Sequence, residues 1–337
     1  MNNVEQLLSP QAALEHYGID WGIGSSPVQW TPPDITVPTS GEMGWRNYEA
    51  QDLPNRVMYR KDTGKPLGIV SDRYTPLDNQ AFAGAVSSIL GDASDTIVAG
   101  GAYRGGKSVW LSADLGTVNI GGVDPVARYA TFYTAHDGTG GLNMTSNEER
   151  IQCANQFGAM DKSNSIRIRH VGDALHFGIE RARAMLTGIL AWHDTVEELS
   201  NDLAGQSVNA EWLAEYFRRS YVQGMPSATR TLLSTPVTRD MPLEDVAKRE
   251  RAEARLESHI KTMAGNYSEG MRNKTYAGKF YTEGSHYMPD DIRGSKWHAF
   301  NAYTHYIDHD SNRGAESIHI GAAAQLKQTA LNLAGSL

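Results

Sequence analysis

The chain has 337 residues, 40% apolar and 21% charged, with 31 Lys and Arg against 39 Asp and Glu for a net charge of −8. That is a globular composition, long enough for one large domain or two ordinary ones, and it excludes wholesale disorder. The single cysteine, Cys153, rules out an internal disulfide and a cysteine-ligated zinc site, and no apolar run approaches the ~18 residues of a membrane span.

The start of the chain has no basic stretch followed by an apolar run, so no secretory leader is expected. A cytoplasmic protein with no membrane contact, no metal and no cofactor is the expectation. Charge is uneven. Residues 1–55 carry seven acids against one base, Arg46, so the remaining residues are close to neutral and can hold a basic face.

Three regions follow from the pattern: an acidic helix and extended arm over 1–45, a hairpin-rich core over 46–172, and a mostly helical region over 173–337. Ser9, Pro10 and Gly18 cap, start and stop a short first helix. Four prolines within residues 24–41 mark an extended connector or edge strand. Arg56–Val70 reads as a hairpin turning at Asp62-Thr63-Gly64. Asn79 is expected to cap a helix over Gln80–Leu90 that Gly91 ends.

Thr96–Leu115 reads as a second hairpin turning at Arg104-Gly105-Gly106-Lys107, and Arg128–Ala135 as a further strand. After a glycine-rich turn comes the strand-like Leu142–Thr145, and Ser146 or Asn147 is expected to cap a helix from Glu148 to Met160. The apolar spacing from Leu175 to Leu203 predicts a long helix over 174–203. Further helices are expected over 210–221, 243–263, 297–306 and 315–334, with a proline-marked loop between Pro226 and Pro242. Strands first and helices after give an α+β class: antiparallel hairpins with a β-β-β-α core, then a helix-rich half.

Several motifs carry chemistry. Gly101 to Ser108 spells G-x-x-x-x-G-K-S, the expression of a phosphate loop, but the residues that follow alternate like a strand where a phosphate loop needs a helix. The segment therefore reads as a hairpin turn whose Arg104 and Lys107 can still meet phosphate. His136-Asp137 could pair a base with its orienting acid, and His305 and His309, one helical turn apart beside Asp308, could ligate a metal. Neither is joined by a nucleophile motif or a third-ligand pattern, so a turn and a helix end explain them as well. Cys153 reads as a small buried apolar residue.

Arg167 and Arg169 share one face of a short strand. Arg218–Arg239 holds four arginines and no acid, and Lys261–Tyr281 interleaves four cations with four aromatic rings. Cations that follow phosphates and rings that stack bases are what a single-strand binder needs.

Six stretches, in order, resemble a known family: Gly68–Pro76; Gly105–Trp110; Ala135–Gly140; Arg150–Asn155; Ile166–His170; and Gly294–Trp297 with Asn301–His309. Together they are similar to the phage/plasmid-like proteins that carry the domain of unknown function 932. Gly44-Trp45-Arg46 and Gln156 depart from that family's pattern. The resemblance implies a phage, prophage or plasmid setting, and the β-β-β-α order is similar to the core of Rad52-type annealing proteins.

The expectation is a non-enzymatic, phage-encoded single-stranded DNA-binding and annealing protein of recombination or replication, working as a homo-oligomer in the host cytoplasm. Arg104, Lys107, Arg150, Arg167 and Arg169 would contact phosphates, and Tyr103 or Tyr129 would stack on bases. The alternatives are a nucleic-acid- or nucleotide-processing enzyme built on His136/Asp137 or His305/Asp308/His309, and a host-takeover protein that binds a protein partner.

Overall fold

The computed structural model describes residues 7–31, 35–39, 42–46, 49–93, 95–150, 155–157, 166–168, 174–272 and 288–337. Helix α1 (Pro10–His16) begins as its sequence dictates: Ser9 Oγ accepts from the Ala12 amide, Pro10 takes the first position, and Gly18 ends the turn at φ 63°. Strand β1 (Ile23–Trp30) follows, then the hairpin β2 (Ile35–Thr39) and β3 (Glu42–Arg46), then β4 (Gln51–Arg60) and β5 (Pro66–Ser71). An antiparallel sheet in the order β1-β4-β5 results. Pro27 sits at a register shift in β1, an edge strand, where its missing N–H costs the ladder little.

Helix α2 (Asn79–Leu90) corrects the expected cap. Asp78, not Asn79, accepts from the first turn, at 2.8 Å from the Ala81 amide. Asn79 is buried instead, and its amide donates to the carbonyls of Ile19 and Trp21 at 2.8 and 3.0 Å.

A second antiparallel sheet runs β6 (Ile97–Tyr103), β7 (Ser108–Ile120), β8 (Asp124–Ala135) and β9 (Leu142–Arg150) as a meander. The short strands β10 (Asn155–Phe157) and β11 (Ile166–Ile168) pair with opposite ends of β9. The helix expected from Glu148 is not formed: residues 142–150 are one strand, paired with β8 from Asn143–Tyr133 to Arg150–Val126. The β-β-β-α order is therefore replaced by a fourth strand. The reason is visible along β9. Leu142 and Met144 face the core as alternation requires, but Ser146, Glu148 and Arg150 continue the same inward face, each buried. Polar residues on the buried face disguised the period.

The second half is helical: α3 (Ala174–Gly205), α4 (Ala210–Gln223), α5 (Ser227–Ser234), α6 (Leu243–Arg272), α7 (Lys296–His305), α8 (Ala315–Ile320) and α9 (Ala322–Ser336). The class is α+β, with the helices gathered in the second half. Helix α5 occupies the stretch expected to be a proline-marked loop; Pro226 precedes its first residue, a position that proline tolerates. The single helix expected over 315–334 is broken at Gly321. The backbone folds back so closely there that a Cβ would lie 2.7 Å from Ser317 Cα. Helix α7 runs on into a wider, π-helical turn over Tyr306–Asp310. Among the described residues no helix is long and apolar enough to cross a membrane.

Two apolar cores form. The first gathers α1, α2, β4, β5 and the inner face of β6–β9 around Phe82, Val109, Leu111 and Phe132. The second gathers α4, α6, α7 and α9 around Tyr216, Phe217, Trp297 and Phe300. Helix α3 belongs to both: Ala182 and Ile189 enter the first core, Val196 and Leu203 the second, and Trp192 packs against each. At 1.5 Å per residue it is a strut of about 48 Å.

Sheet and helices are also locked by charge. Arg150 and Asp124 are both fully buried, with Nε donating to Asp124 Oδ2 at 2.5 Å. Trp297 Nε1 of α7 donates to the same oxygen at 2.8 Å. Removing one partner leaves a buried charge uncompensated, so Arg150→Met or Asp124→Leu should each cost about 3–5 kcal/mol, and the double variant less than the sum. Urea unfolding of the three variants measures this. A single variant within ~1 kcal/mol of the parent would rule out a structural role for the pair.

Candidate nucleic-acid interface

The two hairpin turns flagged in the sequence lie side by side. In the β4–β5 turn the Gly64 amide donates to the Arg60 carbonyl at 2.8 Å, with Gly64 at φ 69°, and the Arg60 guanidinium pairs with Asp62 at 2.6 Å. In the β6–β7 turn, Arg104, Gly105 and Gly106 are successive left-handed residues, with φ of 50°, 71° and 102°. Strand β7 starts at once at Ser108, so the phosphate-loop expression is a hairpin here and lacks the helix that would hold phosphate.

Contact between the turns is tight. A Cβ on Gly105 would meet Lys65 Nζ at 2.6 Å, and one on Gly106 would meet the Trp21 ring at 3.0 Å and Arg60 Cδ at 3.1 Å. The Arg60 guanidinium lies 4.3 Å from the centre of the Trp21 ring, a cation–π contact. Trp21 is held in turn by the Asn79 amide on its carbonyl and by the ring of His136, edge-on at 5.7 Å.

Five cations therefore share one end of the molecule: Arg60, Lys61, Lys65, Arg104 and Lys107. Three acids face them. Asp62 holds Arg60, while Glu316 and Asp137 hold Arg104 at 3.0 and 3.4 Å. The ammonium groups of Lys61, Lys65 and Lys107 make no hydrogen bond or ion pair among the described residues, and Lys61 and Lys65 are exposed. Among the described residues these groups leave a surplus of two positive charges on a chain of net −8.

Arg104, Lys107 and Tyr103, all singled out by sequence, meet at this end. Tyr103 stacks on Trp110 with centroids 5.9 Å apart, and its hydroxyl hydrogen-bonds His319 Nδ1 of α8 at 2.9 Å. Burial, with Glu316 nearby, pushes the Tyr103 phenol up to about 12, so it stays protonated. Tyr129 shares the Tyr103, Trp110 and Tyr133 face of the sheet, in register with Asp114 and Asn147. It stands six residues from Ala135, about 20 Å down the strand. A buried row, Ser112–Thr131–Asn147, crosses that face through hydrogen bonds of 2.8 and 2.6 Å.

The other expected phosphate contacts are not gathered here. Arg150 is on the opposite face, sealed against Asp124 with no exposed surface, so the expectation that it meets phosphate is corrected. Arg167 stands opposite Asn143 in β11. Arg169 and Cys153 lie outside the described residues, as does the Lys261–Tyr281 run beyond Arg272. Sequence reading missed Arg60, Lys61, Lys65 and Trp21. The signal available was the Asp-Thr-Gly turn flanked by lysines, which only the neighbouring hairpin turns into a cluster.

The residues of the enzymatic alternative are engaged structurally. His136 Nε2 shares a 2.9 Å hydrogen bond with Asn79 Oδ1, and Asp137 accepts from the Thr139 amide within the turn. Asp308 accepts from the buried Lys327 ammonium at 2.7 Å, and Asp310 from Asn266 at 2.8 Å. His305 and His309 stand ring to ring at 4.5 Å, and burial beside His309 pulls His305 down to about 4. Among the described residues no group of three or more His, Cys, Asp or Glu side chains is placed to hold a metal ion.

These features define an α+β protein with a cationic hairpin end and an aromatic sheet face. Residues 66–332 match the family model described as "Domain of unknown function (DUF932)", and the chain belongs to that family. No curated protein and no solved structure matches it. Strands β1–β4, with Arg60, and the turn that holds Lys61 and Lys65 precede the matched region.

His319 tethers α8 to this end in a pH-dependent way. Burial, with the Lys327 ammonium nearby, pulls its pKa down to about 4, so it is neutral when folded. An unfolded chain takes up that proton near pH 6.5. Its contribution is therefore complete above pH 6.5 and lost as the pH falls toward 4. His319→Gln should unfold with a weaker pH dependence in that window, read from thermal melts at stepped pH; parallel profiles would refute the assignment.

Proposed function

We propose that this chain binds single-stranded DNA through its paired hairpin turns and, as a homo-oligomer, brings complementary strands together. The observation that carries the reading is the convergence of Lys61, Lys65 and Lys107, uncommitted to any carboxylate, beside Arg60 and Arg104. Mobile ammonium groups suit a phosphate backbone read without regard to sequence. The half-buried Tyr103, Trp110, Tyr133 and Tyr129 extend from that end, which supports stacking with bases.

Self-association is supported by the sheet next to the cations. Trp30, Leu53 and Ile69 are 49%, 41% and 63% exposed there, and β1 is an edge strand among the described residues. The phage or plasmid setting, host cytoplasm and role in recombination or replication belong to the same proposal and rest on the family resemblance. The likeness to Rad52-type cores loses its topological support with the β-β-β-α order, so annealing stands on the cations and the self-association alone.

Fluorescence anisotropy with labelled single- and double-stranded oligonucleotides between about 50 and 200 mM salt tests the reading. Single-strand affinity should fall steeply with salt. Neutralising three phosphate contacts in Lys61→Gln/Lys65→Gln/Lys107→Gln should make the log–log salt slope shallower by about two. Light scattering should give a mass above that of a monomer. Salt-independent binding, no single-strand binding, or a slope unchanged in the triple variant would refute it.

A further inference from the structure

The helical half contains a cavity of about 1050 Å³, lined by none of the hairpin cations and built from α4, α5, α6, the π-helical turn after α7, and Arg313. Its size is that of a small-molecule site. One stripe of α6 supplies Lys248, Arg255 and, a turn further on, His259. Lys248 is spent at the surface on Glu244 and Asp245. The guanidinium groups of Arg255 and Arg313 make no hydrogen bond or ion pair among the described residues, and the field of both reaches the Tyr221 hydroxyl.

Rings make the adjoining wall. Tyr221 lies over His259 at 4.6 Å, nearly parallel, and Tyr306 stands edge-on to both while its hydroxyl hydrogen-bonds His259 Nδ1 at 2.8 Å. One face of Tyr221 is covered by His259, and the half-buried ring lines the cavity. Met225, Leu232 and Ile307 add apolar surface. The widened turn at Tyr306–Asp310 places Tyr306 and Ile307 on this wall, and such turns concentrate at functional sites. Four cations line the cavity against Asp240 and Asp245, a surplus of two on an acidic chain.

We infer that this cavity is a binding site for a mononucleotide, with Arg255 and Arg313 on the phosphate and the Tyr221 ring against the base. Two uncommitted guanidinium groups fit a phosphate's oxygens, and a flat ring beside an apolar wall fits a base. A bare phosphate leaves the rings and most of the volume unused, and a nucleoside leaves both arginines unpaired.

Isothermal titration calorimetry on the full chain with AMP, GMP, CMP and UMP in turn, and with adenosine and inorganic phosphate, tests it. At least one nucleotide should bind, about tenfold or more tighter than phosphate or adenosine. Arg255→Ala and Arg313→Ala, at exposed positions that leave the cores intact, should each weaken it by about tenfold, and Tyr221→Ala should weaken it while inorganic phosphate binding stays unchanged. Melting temperatures within a few degrees of the parent verify that the variants fold. Lys65→Gln should leave nucleotide binding unchanged, which separates this site from strand binding at the hairpins. No nucleotide bound at millimolar concentration, phosphate binding as tightly as every nucleotide, or binding unmoved by both arginine variants would overturn the inference.

Discussion

A salt bridge with no access to water holds this structure together. Asp124 opens β8 and Arg150 closes β9, and Trp297 of α7 donates to the same carboxylate oxygen. An apolar contact could have filled this volume, but it would not have fixed which strand end meets which helix. Directional bonds from a sheet residue and a helix residue onto one atom do so, because a slip of β9 by one residue would turn Arg150 to the other face and strand Asp124 in the core. Glu148 makes a second directional bond one step along β9, a 2.9 Å hydrogen bond with His193 of α3, while Arg128 of β8 binds Glu197 and the His193 carbonyl. The sheet is tied to its helices by charge where β8 and β9 leave the first apolar core.

The hairpin end has a different logic. Its turns are shaped by left-handed residues and by the contact of one turn with the other, and a buried amide supports them. Asn79 spans the Ile19 and Trp21 carbonyls and the His136 ring, so α2, the segment before β1 and the end of β8 meet on one side chain. Hydrogen-bonded support beneath leaves the lysine ammonium groups without a carboxylate partner among the described residues. The two halves thus divide the electrostatics: the interior carries charges that are paired, and the hairpin surface carries charges that are not.

Much of the fold was legible in the sequence because it follows local rules. Ser9-Pro10, Asp62-Thr63-Gly64 and the glycines after Arg104 are turn and cap chemistry, and the Leu175–Leu203 spacing is a helix period that tertiary packing did not alter. Strand β9 was not legible. Thr, Ser, Asn, Glu, Glu and Arg in succession look like a capped, solvated helix, and only Asp124 and His193, far away in the chain, make burial of Arg150 and Glu148 affordable in free energy. The site divided along the same line. Arg104 and Lys107 were readable from their own turn, whereas Lys61 and Lys65 became part of it through a contact between hairpins some 40 positions apart. Arg150 shows the converse error: a cation beside a promising motif whose charge is already consumed.

Arg104 bears on how this turn can drift over generations. It holds a left-handed backbone at φ 50°, a conformation costing an ordinary residue about 1–2 kcal/mol relative to glycine, and two glycines follow it. A third glycine would relax the backbone, yet it would delete the guanidinium that spans Glu316 of α8 and Asp137 of the β8–β9 turn. The most comfortable residue for the main chain is thus the one that removes the charged tie between α8 and the sheet, leaving the Tyr103–His319 hydrogen bond to hold them. Chains that keep a side chain here while tolerating its strain should be those in which the helix-to-hairpin tether matters, and chains that have gone to glycine should carry a changed residue at position 316 or 137.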